Sequence, residues 1–141
     1  MHLKKTILLI ITFLSISSLA KSEISYEKDF DETQFIIESQ IQAFLDENAE
    51  VAYSYAAPLI KMKFNNPLEF MSMVKNYYEP VYNPKQFYFI DSKYFEGAIY
   101  HQLQVISQQN ESFLATYSLI QDEGKWKISG CAVYPMQKQS I

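Results

Sequence analysis

The sequence predicts an α+β domain in which N-terminal helices pack on one face of an antiparallel sheet. Three observations carry this. Apolar residues recur at helical spacing from Phe35 to Tyr78. From Phe87 onward the spacing changes to alternation. The alternating runs are separated by short polar turns, Gln109-Asn110-Glu111 and Asp122-Glu123-Gly124. Helices first, then strands joined by tight turns, give two segregated layers.

The chain opens with Met-His-Leu-Lys-Lys, an apolar stretch from Thr6 to Ile16, and Ser17-Ser18-Leu19-Ala20. A basic start, a short apolar centre and small residues at Ser18 and Ala20 predict a secretory signal peptide over 1–20, cleaved after Ala20. The run is shorter than the ~20 apolar residues a membrane-spanning helix needs. No cysteine stands near the cleavage point to be acylated. The expected product is exported, periplasmic or secreted, and has no stable membrane anchor. Residues 21–32 are polar and acidic and read as a flexible leader, and the domain is expected over 33–136.

The first helix is expected over 33–46, where Phe35, Ile36, Ile37, Ile41, Phe44 and Leu45 repeat at helical spacing behind Asp31 or Thr33. Asn48 caps a shorter helix carrying Val51, Ala52, Tyr55 and Ala56, which stops before Pro58. Asn66-Pro67-Leu68-Glu69 is the clearest helix start: a capping asparagine, a proline at the first helical position and a glutamate able to reach back. Phe70, Met71, Met73, Val74, Tyr77 and Tyr78 follow, Pro80 closes the run, and 81–85 reads as a connector. Phe87 to Ile90 form the first strand, and Tyr94 to Gly97 a turn region. Ile99, His101, Leu103 and Val105 give a half-buried second strand. Ala115, Tyr117 and Leu119 mark the third strand, and Trp126, Ile128 and Gly130 the last.

Composition narrows the functional classes. With the signal removed, ten lysines face sixteen acids, a net charge of −6, and the chain has no arginine. An acidic domain without a basic stripe is not expected to bind nucleic acid. The absence of arginine lowers the expectation of an anionic ligand. Only His2 and His101 are present, and the first leaves with the signal, so no metal site is expected. The three glycines, Gly97, Gly124 and Gly130, stand apart and build no phosphate loop; no cofactor is expected. The single cysteine, Cys131, reads as a buried small hydrophobe. Asn110-Glu111-Ser112 fits a glycosylation sequon, a short pattern that matters only in a eukaryotic secretory pathway.

Several stretches are shared with a known family: Ile41-Gln42-Ala43-Phe44, Ala56-Ala57-Pro58-Leu59-Ile60, Phe70-Met71 with Met73-Val74, Tyr78 with Pro80-Val81, and Gly124-Lys125-Trp126-Lys127-Ile128-Ser129-Gly130-Cys131. Over about 33–134 the chain resembles an uncharacterised exported bacterial family, a domain of unknown function, of the nuclear-transport-factor-2-like superfamily. That cystatin-like, cone-shaped fold is shared with ketosteroid isomerase. The resemblance implies a curved sheet closed over by helices, and a pocket inside the cone. It implies no activity, and the isomerase's acid, base and oxyanion donors find no matching residues here.

Alternation places His101 inward with Ile99, Leu103 and Val105, and Tyr117 inward with Ala115 and Leu119. Asp91 has the parity of Phe87 and Phe89, and Tyr53 and Tyr55 stand on a short helix able to cap the opening. His101, Asp91 and Tyr117 are therefore the catalytic candidates, and Tyr55, His101, Tyr117 and Trp126 the candidates for a pocket wall. A histidine, a carboxylate and phenols in an apolar pocket can support proton transfer. Equally, an inward histidine serves as a core residue that hydrogen-bonds a tyrosine or carbonyl, and Asp91 can simply begin a turn. The leading expectation is a non-catalytic module binding a small apolar ligand, or a protein partner, in an aromatic-lined pocket. An isomerase or lyase using His101 or Asp91 is one alternative. A homodimer through the outer sheet face, where Ile106, Leu114, Ile120 and Val133 are expected, is the other.

Overall fold

The computed structural model describes residues 6–138, with side chains from Tyr26 onward. The expected signal peptide begins outside the described residues, and all its side chains lie outside them. No helix among the described residues is long and apolar enough to cross a membrane. The chain divides into two units, Met1–Glu32 and Thr33–Ile141. The first is helical from Thr6; the second holds the helices and sheet described below.

α1 (Thr6–Leu45) takes in 21–32, where the sequence reading placed a flexible leader. Within the second unit its inward stripe is Thr33, Ile37, Gln40, Ile41 and Phe44, the spacing of one helical face, and Phe35 points to solvent. α2 (Ala49–Ser54) starts at Asn48, whose side chain accepts from Val51 N. A short α3 (Pro58–Lys61) follows. α4 (Pro67–Tyr77) is capped by Asn66 Oδ1, which accepts from Glu69 N at 3.0 Å. Glu69 does reach back, but to the backbone N–H of Asn65, one residue before the cap. α5 (Glu79–Tyr82) occupies part of the expected connector, with Pro80 in its first turn, where a missing N–H costs nothing.

Four strands, β1 (Gln86–Phe95), β2 (Ala98–Ile106), β3 (Ser112–Asp122) and β4 (Lys125–Pro135), form an antiparallel meander in sequence order. Two of its hairpins turn on Glu96-Gly97 and Glu123-Gly124, all four residues at positive φ, which is where the glycines are needed. The inner face carries Ile99, Leu103, Val105, Ala115, Leu119 and Ile128, all buried against the helices. The edge of β4 is closed at Ile128, whose N–H donates to Tyr55 O and whose carbonyl accepts from Ala57 N.

Two bulges change which residues face inward. In β1, Phe89 pairs with Leu103 and Asp91 with Gln102, leaving Ile90 unpaired. In β4, Ser118 pairs with Gly130 and Leu119 with Ile128, leaving Ser129 unpaired. An extra residue reverses the parity of the strand beyond it. Asp91, expected inward, therefore lies exposed, and Ser92 faces inward in its place. Val133, expected on the outer face, pairs with buried Ala115 and belongs to the inner one. The outcome is an inward row across all four strands, Ser92–His101–Tyr117–Cys131.

His101 is fully buried and ties this row to α1. Its Nε2 lies 2.6 Å from Thr33 Oγ1 and its Nδ1 2.7 Å from Ser92 Oγ, which also accepts from Gln34 Nε2. Phe89 packs edge-on against the imidazole. Desolvation lowers the His101 pKa from its ordinary 6.5 to about 4. Between these values the unfolded chain holds a proton that the folded protein excludes, so stability is present above 6.5 and is lost as pH falls toward 4. The loss attributable to His101 is roughly 3 kcal/mol. Urea melts at pH 7, 5.5 and 4 should show a smaller acid-dependent loss in His101→Gln than in the natural protein, although the variant starts less stable. Equal losses would show that His101 does not titrate as described. Asn66→Ala should cost about 1 kcal/mol by the same measurement at pH 7.

Candidate functional site

The helices and the β3–β4 half of the sheet line an open-mouthed cavity of about 270 Å³. Its helical wall is aromatic. Phe44 comes from α1, Phe70 with Met73 and Val74 from α4, and Phe64 from the segment just before α4. Phe70 is the hub of this wall, its ring centroid 6.2 Å from Phe44, 5.7 Å from Phe64 and 5.6 Å from Tyr53. The Asn66 cap fixes where α4 begins and hence which residues present the i, i+3, i+4 face of Phe70, Met73 and Val74. Tyr53 holds the α3 turn in place, its hydroxyl within 3.2 Å of the carbonyls of both Lys61 and Phe64.

The sheet wall is built by Tyr117 on β3 and the bulged segment Ile128 to Cys131 on β4. Ser129 Oγ lies 2.9 Å from Ser118 Oγ. A β-carbon at Gly130 would come within 3.0 Å of the same Ser118 oxygen, so the bulge accepts a larger side chain there only if that serine shifts. The bulge sets Cys131 opposite Tyr117. The Tyr117 side chain is 1% exposed; its hydroxyl has no nitrogen or oxygen partner among the described residues, and the Cys131 thiol, a weak hydrogen-bonding group, is what stands beside it. Burial pushes the Tyr117 pKa well above the usual 10, and the neighbouring Cys131 adds to the rise. Cys131 is partly exposed, yet desolvation pushes its thiol up to about 12, only partly offset by Tyr117. At neutral pH both groups are protonated, so this wall offers hydrogen-bonding groups and no thiolate nucleophile.

Of the residues singled out from the sequence, Tyr117 lies in the cavity wall. His101 is its cross-strand neighbour but faces Thr33 and Ser92, outside the lining. Trp126 is buried on β4, and half-buried Tyr55 meets the β4 edge through its backbone; neither lines the cavity. Asp91 is exposed beyond the bulge and is not brought near Tyr117. The residues missed are Cys131, hidden by the shifted parity, and the helical wall of Phe44, Phe64, Phe70 and Met73. The apolar spacing had marked most of that wall as core. No cluster of three or more potential metal ligands occurs among the described residues.

A search of curated proteins found no match to this chain. The sequence profile of one family matches residues 26–141. That match spans most of the 141 residues, and the chain belongs to this family, which is described as a domain of unknown function, DUF4864.

Proposed function

We propose that this is a non-catalytic binding module of the cone-shaped, nuclear-transport-factor-2-like kind, which holds a small, largely apolar ligand between its helices and the β3–β4 half of its sheet. The observation that carries the reading is the Tyr117 hydroxyl, buried in a residue of the cavity wall with only the weak Cys131 thiol beside it. A buried hydroxyl left without a good partner costs about 1–3 kcal/mol, and a group supplied by a bound molecule lowers that cost. The rest of the wall fits the same purpose: apolar and aromatic lining with few polar anchors is what small-molecule sites present. The volume falls just below the ~300 Å³ lower end of such sites, which favours a small ligand. The basic, apolar and small-residue pattern of 1–20 supports export, so the module would act in the periplasm or outside the cell.

A second reading is favoured by one feature of the outer sheet face. Tyr88, Gln104, Leu114 and Tyr134 form a row across all four strands, with Tyr88 and Tyr134 more than half exposed. Such a patch supports a homodimer through this face, which leaves the cavity free.

Two experiments test these readings. Tyr117→Phe keeps the ring and removes the poorly partnered hydroxyl. The ligand-free variant should therefore melt no lower than the natural protein, and its unfolding free energy should rise by about 1 kcal/mol. The same variant should bind ligand more weakly. A variant that is clearly less stable when ligand-free would show that the hydroxyl is already satisfied. For the dimer, Thr116→Lys places a charge at the centre of the outer face, where Thr116 pairs with Gln102 and Ala132. Sedimentation velocity should show a shift from dimer to monomer, and an unchanged profile would count against that interface.

A further inference from the structure

Among the described residues, Lys63 is the one charged residue in the cavity wall. It stands exposed at the rim, just past α3, and its ammonium makes no ion pair or hydrogen bond with any described residue. The remaining lining is apolar or neutral, with Phe44, Phe64, Phe70, Met73 and Val74 forming its helical side. An unpaired ammonium beside such a wall stabilises an anion whose apolar part enters the cavity. With no arginine in the chain, this cation is a compact point charge suited to a single anionic head and not to a bidentate grip.

We infer that the ligand is a small amphipathic anion, its apolar body against the Phe44–Phe70 wall and its carboxylate-type head at the Lys63 rim. The inference rests on the cavity being a binding site, and it supplies the charge that the wall alone does not specify. It departs from the expectation drawn from the missing arginine, because a lysine at a solvent-facing rim serves where the head stays partly hydrated.

The test compares octanoate with octanol, an anion and a neutral molecule of similar length and apolar body, by isothermal titration at low and high salt. Octanoate should bind roughly fivefold more tightly at low salt, the scale of one exposed charge interaction, and the difference should shrink at high salt. Lys63→Gln, at an exposed position, should bring octanoate to the octanol level, with a much smaller change in octanol binding. Equal affinities in the natural protein, or a preference that survives Lys63→Gln, would overturn the anion inference and leave the cavity reading standing. Binding of neither molecule would overturn both. Met73→Trp, which fills the cavity, should abolish binding of both; retained binding would place the molecules elsewhere and also overturn both.

Discussion

Ser129 has no backbone pairing partner on β3, and the contents of the cavity depend on that one inserted residue. Were the register continuous beyond Leu119 and Ile128, Tyr117 would pair with Gly130, and Cys131 would point to the outer face. The extra residue shifts the pairing so that Tyr117 meets Cys131, a hydroxyl beside a thiol, inside an otherwise apolar wall. Gly130 suits the site because Ser118 stands so close to where a side chain would begin. A bulge of this kind re-aims the side chains beyond it. Here it converts a plain packing surface into one with a polar spot.

The bulge at Ile90 acts in the same way at the opposite edge, and its effect is electrostatic. An unbroken register would set Asp91 against His101, and a carboxylate there would favour the charged imidazole. The bulge sends Asp91 to solvent and brings Ser92 in, so the histidine meets neutral hydroxyls from Ser92 and Thr33. Burial then keeps it neutral at ordinary pH. His101 thus joins α1 to the sheet, while Asp91, the other residue considered for proton transfer, faces solvent beyond the inserted residue.

Much of the fold was legible because its signals are local. Asn66 and Pro67 start α4 as expected, Asn48 caps α2, and the Glu-Gly pairs turn two hairpins. The inward set Ile99, His101, Leu103, Val105, Ala115, Tyr117 and Leu119 follows the two-residue period faithfully, since β2 and β3 pair without irregularity. The period misled only beyond the bulges, at Asp91 and Val133, and it hid Ser92 and Cys131. A bulge is decided by pairing with a neighbouring strand, and neither Ile90 nor Ser129 announces it locally. The cavity was harder still to read. Phe44, Phe70, Met73 and Val74 show helical periodicity, but whether such residues close on one another or leave space depends on how α1, α4 and the sheet pack together. The helical character of 21–32 was missed because its scattered apolar residues give no helical stripe.

The central claim is that the cavity against Tyr117 holds a small molecule, and native mass spectrometry tests it most directly. The protein would be produced with its own N-terminus in an exporting host and purified without detergent. The account predicts an added mass on the folded protein that is lost on denaturation, and a reduced share of loaded protein in Tyr117→Phe. Folded protein that carries no added mass, together with an unchanged mass after incubation with short-chain amphiphiles, would contradict it.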